Sequence, residues 1–131
     1  IVRSLLFLTG LLVVGYLLLA RPQLRVESIT TARTLDDAYR PIDATDTFGP
    51  EDDFFAAVEL SGYRADMRVS ALWRYEGQPI TETPLNAAGA GSGYAGFVLS
   101  NDDPPWPAGS YSVEILLDGE RLASTTFQVS Q

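Results

Sequence analysis

The chain has 131 residues, nine basic and 17 acidic side chains and a formal net charge of −8, and it contains neither His nor Cys. All nine basic residues are Arg. Such a length suits one domain of ordinary size. Without His, Cys or Lys, the chain cannot build an imidazole- or thiolate-ligated metal site, a disulfide, a Ser-His-Asp triad or a lysine Schiff base. We expect no enzymatic activity, no cofactor and, because of the negative charge, no nucleic-acid partner.

The first predicted element is a transmembrane helix. Residues 4–20, SLLFLTGLLVVGYLLLA, contain eight Leu and no charged side chain. Such a run inserts favourably into a lipid bilayer, and Pro22 would end the helix. A cleaved signal peptide is the alternative, but cleavage after Ala20 would need a small residue at the position of Leu18. A retained membrane anchor is therefore the preferred interpretation.

Two arguments predict opposite orientations for this anchor. Arg21 and Arg25 outnumber Arg3, which on the positive-inside rule alone places the following domain in the cytoplasm. The type of domain predicted below favours the other side of the membrane. We expect a single-pass membrane protein with a helix over residues 1–22 and an extracytoplasmic domain over residues 23–131.

After the anchor, the hydrophobic pattern has a period of two, which predicts β-strands. The clearest alternation covers residues 67–75, and residues 111–117 repeat it. Asp118 and Gly119 then predict a two-residue hairpin turn, because both central positions of a type I′ turn need a positive φ. The strand that returns from this turn covers residues 121–130.

Four weaker strands complete the predicted domain. They cover residues 24–30, 54–60 and 94–100, together with an edge strand between two prolines at 80–83. Residues 86–96, NAAGAGSGYAG, are interpreted as a flexible connection between two sheets. The pattern is typical of an all-β, antiparallel sandwich.

Trp73 and the residues around Tyr111 carry a further signal. Gly109, Tyr111 and Val113 stand in a Gly-x-Tyr-x-Val run, and Phe127 follows in the last strand. These residues resemble the immunoglobulin-like domains of bacterial membrane-anchored envelope proteins. In immunoglobulin-type sandwiches the Tyr forms a corner hydrogen bond, a Trp fills the core, and a disulfide Cys stands where this chain has Val. The resemblance implies a core that contains Trp73, Tyr111, Val113 and Phe127 and lacks the disulfide.

Residues 31–53, TARTLDDAYRPIDATDTFGPEDD, are polar, acidic and interrupted by proline. We interpret them as a long surface connection or as an ordered arm that packs on a partner, since structureless loops of this length are uncommon in compact domains. Their acidic residues are candidate contacts with a partner: Asp43, Asp46, Glu51, Asp52 and Asp53. Carboxylates also suit calcium, but the spacing does not match an EF-hand loop, and solvated turn residues are the simpler interpretation here and at residues 101–103.

Trp106, flanked by two prolines, is the most informative aromatic residue outside the strands. It is a candidate anchor for a partner, since Trp is enriched at such positions. A lid over the end of the sandwich explains it equally well. Paired carboxylates could hydrolyse glycosidic bonds, but Glu59 and Glu114, the acids within apolar runs, fall on the solvent side of their strands.

Three classes of function compete for this anatomy. We expect a non-enzymatic accessory or structural subunit of a larger membrane or envelope complex, because an anchor, an acidic segment and a small domain are all present. Its partners would be other membrane-protein subunits, with residues 4–20 in contact with the lipid bilayer. The alternative is a free-standing extracytoplasmic module that binds protein, glycan or calcium. An enzyme is the third class, and the sequence offers it no catalytic constellation.

Overall fold

A computed structural model describes residues 23–87 and 91–131 as an all-β fold of ten strands in two sheets. In chain order the strands are β1 (Arg25–Leu35), β2 (Pro41–Ala44), β3 (Thr47–Phe48), β4 (Phe54–Tyr63), β5 (Val69–Tyr75), β6 (Gln78–Pro84), β7 (Asn86–Ala87), β8 (Gly91–Leu99), β9 (Gly109–Leu117) and β10 (Glu120–Val129). The predicted transmembrane segment, residues 4–20, lies outside the described residues. Within those two ranges, no helix has the length and apolar character needed to cross a bilayer.

The strands form two five-stranded sheets that enclose one core. Sheet A has the order β2-β1-β4-β8-β7, and sheet B has the order β3-β10-β9-β5-β6. Every described pairing is antiparallel except that of β3 with β10, where Phe48 lies opposite Val129 in parallel. The prediction of a purely antiparallel sandwich is wrong at this edge. A strand of two residues leaves no period-two signal in the sequence, so its direction could not be read there.

The strands with the clearest alternation form as predicted. β5, β9 and β10 begin and end within two residues of the predicted bounds. Asp118 and Gly119 join β9 to β10 with φ values of 50° and 87°, as a type I′ turn requires. A second turn of this kind, which the sequence reading did not assign, joins β5 to β6 at Glu76 and Gly77 with φ values of 47° and 81°.

Residues 31–53 differ from the prediction of a surface connection. β1 continues through Leu35 instead of ending at residue 30, and β2 and β3 follow within the same segment. Thr31 fixes the return of the chain through two hydrogen bonds to Thr45. Its Oγ1 donates to the carbonyl of Thr45 at 2.6 Å, and its backbone carbonyl accepts the Thr45 N–H at 3.0 Å. The segment therefore belongs to the sandwich, with its backbone groups paired in both sheets.

Residues 86–96 also contain sheet residues instead of a flexible connection. β7 pairs with β8, so that Asn86 lies opposite Gly96, and β8 begins at Gly91 instead of residue 94. Gly and Ala dominate this stretch and give no alternation of apolar and polar side chains, which explains why the sequence did not show the strands. Residues 88–90 lie outside the described residues.

The β1–β2 hairpin covers part of the outer face of sheet A. A Cβ added to Gly96 would lie 2.5 Å from Cδ1 of Tyr39 and 2.9 Å from Cδ1 of Leu35, so both side chains rest directly on this glycine. Asp36 holds the turn of the hairpin by accepting the backbone N–H of Arg40 at 2.8 Å and its Nε at 2.9 Å. The backbone hydrogen bond from Arg40 is the largest cause that lowers the pKa of the Asp36 carboxyl below its ordinary value of 3.8.

The core lies between the two sheets and is aromatic at its centre. Four residues predicted to lie there are each at most 2% exposed: Trp73, Tyr111, Val113 and Phe127. Phe54 is fully buried among them, with its ring centroid 4.7 Å from that of Phe127 and 6.3 Å from that of Trp73. Trp73 Nε1 donates to Thr83 Oγ1 at 2.9 Å, so its buried N–H is satisfied.

The strand register defines two ends of the sandwich. At the entry end Arg25 pairs with Ser61 and Val69 pairs with Leu117, so this end carries the loop 64–68 and the β9–β10 turn. At the far end the loops 49–53 and 100–108 precede β4 and β9. The chain therefore enters the sandwich at one end and carries its longest described loop, residues 100–108, at the other.

The outermost strands cover the sheet edges only in part: among the described residues, β2 pairs with residues 32–35 of β1, and β3 pairs with residues 128–129 of β10. β2, β3 and β7 have four, two and two residues. The longer edge strand β6 is mostly exposed and contains Pro79 and Pro84, in agreement with its prediction as an edge between prolines. Short strands and edge prolines limit backbone pairing with another chain.

Candidate partner-binding surface at the far end

Hydrogen bonds between two loops close the far end. Trp106 N donates to the carbonyl of Pro50 at 2.8 Å, and Asn101 Nδ2 donates to the same oxygen at 2.9 Å. Asn101 N donates to Asp53 Oδ1 at 2.7 Å. The loops 49–53 and 100–108, which lie far apart in the sequence, therefore form one continuous surface.

Trp106, the candidate anchor, is half-buried on this surface. Its ring stacks on that of Phe54 with centroids 4.7 Å apart and planes at 18°, and it meets Tyr111 edge-on at 6.2 Å. Its Nε1 donates to the carbonyl of Asp52 at 2.7 Å. Trp106 therefore covers the far end of the core in the manner of a lid, and contact between its exposed part and a partner stays a prediction.

Tyr111 fixes the start of β9 below this lid. Its hydroxyl donates to the carbonyl of Pro107 at 2.6 Å, four residues upstream, which is the corner hydrogen bond that the resemblance implies. Tyr75 donates to the neighbouring carbonyl of Ala108 at 3.0 Å. Burial, with smaller contributions from Tyr75 and Glu76, raises the pKa of Tyr111 to about 12. The hydroxyl is therefore a neutral structural donor at physiological pH.

Three of the predicted acidic residues, Glu51, Asp52 and Asp53, meet at the far end. Asp52 Oδ2 accepts the N–H of Gly49 at 2.7 Å and lies 3.3 Å from Arg33 Nη1. Asp53 accepts from Asn101 as described, whereas Glu51 is exposed. Two of these carboxylates therefore help to build the loops, and the third faces solvent.

Asp43 and Asp46, the other two predicted acidic residues, are not brought to this group. Asp43 is exposed on β2 with a φ of 54°, and Asp46 Oδ1 accepts from Thr47 Oγ1 at 3.2 Å. In the described ranges, no three acidic residues converge in an arrangement that could hold a metal ion. The five candidates thus divide between the far end and the β2–β3 region.

Glu76 belongs to the far end and was not selected from the sequence. Its Oε1 accepts the N–H of Ser110 at 2.8 Å, while its own N–H donates to the Ser110 carbonyl at 2.9 Å. The Glu76-Gly77 dipeptide at a strand junction was the available signal, because Gly at the second turn position permits a positive φ. With Asp102 and Asp103, which are exposed, Glu76 makes the far end strongly acidic.

Comparisons with known proteins show the fold. No protein-family model matches the sequence, and no curated protein matches it. An immunoglobulin-like protein from Pseudomonas aeruginosa is similar in structure, with a TM-score of 0.61 and 16% identity over 85% of this chain and 99% of that one. An alkylpurine DNA glycosylase from Pseudomonas fluorescens, bound to DNA with an abasic-site analogue, has a TM-score of 0.53 and 15% identity over 82% of this chain and 30% of that one. At these identities the likeness concerns the fold alone, and the described part of the chain is an immunoglobulin-like β-sandwich.

Proposed function

We propose that the protein is a non-enzymatic accessory subunit of a larger membrane complex, anchored by one helix over residues 4–20 with its sandwich on the extracytoplasmic side. The observation that carries this proposal is how soon the core begins after the apolar segment. Leu24 is already a core residue, 7% exposed, and only Arg21, Pro22 and Gln23 separate it from residue 20. Four residue steps reach at most about 14 Å. An anchor at residues 4–20 therefore holds the domain directly against the membrane.

Packing at the point of entry supports a fixed attachment. Gly62 has a φ of +80°, and a Cβ there would lie 2.4 Å from the carbonyl oxygen of Gln23. The backbone before β1 is therefore pressed against the end of β4. A domain attached in this way has little freedom to move away from its anchor, which suits a subunit with a fixed place in a complex.

The far end is the surface that we propose for contact with another subunit. Its exposed carboxylates are Glu51, Asp53, Glu76, Asp102 and Asp103. The half-buried ring of Trp106 lies beside them. Charge complementarity directs such a surface to a basic partner, and an aromatic residue within a charged rim supplies the central contact.

The carboxylates nearest the core support a non-enzymatic role. Glu114 forms a partly buried ion pair with Arg74 at 3.0 Å between Oε1 and Nε. Glu59 Oε1 lies 3.4 Å from Ser28 Oγ, which donates to it. Both carboxylates are engaged within sheet faces, away from the loops where a substrate cleft would form.

The proposal is tested by purifying the full chain from its native membranes in mild detergent and identifying the chains that accompany it by mass spectrometry. We expect a defined set of membrane proteins at constant stoichiometry. A variant with Asp102→Arg and Asp103→Arg should lose them, because both residues lie on the exposed far-end loop and the substitution reverses its charge. Glu120→Arg at the entry end is the matched control and should retain them.

Two results would contradict the proposal. Extraction of the protein from membranes by alkaline carbonate would contradict the proposed membrane anchor. Purification of the protein alone and monodisperse from intact membranes would contradict its membership in a complex. That result would favour a free-standing module that binds protein, glycan or calcium.

A further inference from the structure

The entry end carries exposed side chains of both signs, with arginines beside the carboxylates of Asp66, Asp118 and Glu120, whereas the far end is acidic. Four arginines lie at or beside its loop and turn: Arg25, Arg64, Arg68 and Arg121. Arg25 and Arg64 pair with neighbouring carboxylates at 3.8 and 3.4 Å. Arg68 and Arg121 are exposed, and in the described part of the chain neither has a carboxylate within 4.0 Å. Arg121 Nη2 donates to Ser124 Oγ at 2.7 Å. Guanidinium groups without a carboxylate partner can bind phosphate through their remaining N–H groups.

A bulge places an apolar side chain beside these arginines. Arg121 pairs with Leu116 and Ala123 pairs with Ile115, so Leu122 between them has no partner on β9. Leu122 is 39% exposed, and among the described residues it is one of three exposed large hydrophobic residues, with Ile42 and Ile80. Bulges commonly redirect a side chain in this way. A basic residue next to an exposed Leu is a combination suited to a membrane interface.

An open depression of about 630 Å³ extends this surface along sheet B. Arg68 lies in its wall together with Met67, and the carboxylates of Glu82 and Asp118 line it as well. The depression therefore offers both signs of charge over a partly apolar floor. A zwitterionic phospholipid headgroup carries the matching pair, a phosphate and an ammonium group.

We infer that the entry end rests on the headgroup layer of zwitterionic phospholipids, with Arg68 and Arg121 on the phosphate groups and Leu122 at the interface. This inference rests on the proposed anchor, which brings the entry end within about 14 Å of residue 20. The opposite, acidic end is repelled by lipid phosphates and faces the aqueous side. The sandwich therefore stands upright on the bilayer.

Single-cysteine labelling tests this orientation, because the chain contains no Cys. Glu120→Cys and Asp102→Cys each remove one exposed carboxylate, the first at the entry end and the second at the far end. The full chain of each variant is labelled with an environment-sensitive fluorophore and reconstituted into phosphatidylcholine vesicles that contain nitroxide-headgroup lipids. We expect severalfold quenching at residue 120 and little at residue 102.

The outcomes separate this inference from the proposed function. Failure of the protein to insert into the vesicles would contradict the proposed anchor, and with it this inference. Protein that is embedded but equally quenched at both residues, or at neither, overturns the orientation and leaves the anchor intact.

A longer linker distinguishes contact from mere proximity. Insertion of about twelve Gly and Ser residues after Gln23 releases the entry end to a distance of roughly 20 Å. Quenching at residue 120 should persist, because the headgroup contacts themselves hold the surface, and it should fall when Arg68→Gln and Arg121→Gln are added. Loss of quenching on linker insertion alone would show that the tether acts without any contact and would refute the inference.

Discussion

The two ends of the sandwich are closed by different physical means. At the far end Trp106 stacks on Phe54, and the two loops are joined through their backbone carbonyls. At the entry end the chain itself presses on Gly62, and the β9–β10 turn reverses the sheet with two residues. Aromatic side chains fill the far end, whereas backbone lies directly against backbone at Gly62 of the entry end. Removal of atoms should therefore be most harmful at the first, and addition of atoms at the second.

Phe54→Ala should have the largest effect, because it removes a fully buried ring from under the lid. We expect the free energy of unfolding to fall by about 3 to 5 kcal/mol, measured by urea denaturation of the purified protein. Phe55→Ala is the matched control on the half-buried outer face. A similar loss from both substitutions would contradict the dependence of the far end on this ring.

Gly62→Ala tests the opposite sensitivity at the entry end. The added Cβ would meet the Gln23 carbonyl at 2.4 Å while φ is +80°. We expect a loss of about 2 to 3 kcal/mol from strain and displacement together. Gly77→Ala has nearly the same φ of +81° but open space around it, and should cost only about 1 kcal/mol. Equal costs in thermal or urea denaturation would show that the close approach to Gln23 is unimportant.

Tyr111→Phe removes one hydroxyl from the far end and leaves the ring in place. The lost hydrogen bond to the Pro107 carbonyl, 2.6 Å long, should lower the free energy of unfolding by about 1 to 2 kcal/mol. Tyr75→Phe, which loses the more exposed bond to Ala108, serves as the comparison and should cost less. A larger loss of stability from Tyr75→Phe than from Tyr111→Phe would show that Tyr75 forms the more important hydrogen bond at this corner.

The same tyrosine predicts how stability changes at alkaline pH. Its pKa in the folded protein, about 12, lies above the ordinary value of 10.0. The unfolded chain therefore releases this proton first, so the contribution of Tyr111 is constant below pH 10 and is lost as the pH rises from 10 to 12. Urea denaturation across this range should show a steeper decline for the natural sequence than for Tyr111→Phe. Parallel declines would exclude Tyr111 as the source.

Leu122→Ser should have the smallest effect on stability. The side chain is 39% exposed and unpaired in the sheet, so we expect the free energy of unfolding to change by less than about 0.5 kcal/mol. Thermal denaturation in detergent provides the measurement. A loss near that of a core leucine would show that the bulge serves packing instead of the surface of the entry end.

Regular alternation made the centre of sheet B predictable. β5, β9 and β10 each have a more apolar and a more polar face. The Asp118-Gly119 dipeptide predicts the hairpin turn between β9 and β10 by its residue types. The end of β1, together with β2 and β3, carries no such pattern. Leu35 and Tyr39 pack against Gly96, which lies far from them in the sequence. Contacts of this kind depend on the fold itself and leave no periodic trace.

The far-end surface was only partly predictable for the same reason. The residue type of Trp106 marked it as important, but its role depends on Pro50 and Asp52, more than fifty positions earlier. Composition likewise grouped Asp43 and Asp46 with residues 51–53, because the five are neighbours in sequence. In the structure these residues make different contacts: Asp52 and Asp53 hold the loops, and Asp46 accepts from Thr47. Local sequence identified the candidates, and tertiary structure decided which of them share a surface.

The prolines of the edge strand β6 have a consequence for crowded conditions. Proteins confined to a surface meet one another far more often than they do in free solution, and unguarded strands then polymerise side by side. The edge strand β6 contains Pro79 and Pro84, which lack the backbone N–H that a strand of a neighbouring molecule would need for pairing. Neighbouring copies are therefore hindered from pairing strand to strand at the β6 edge.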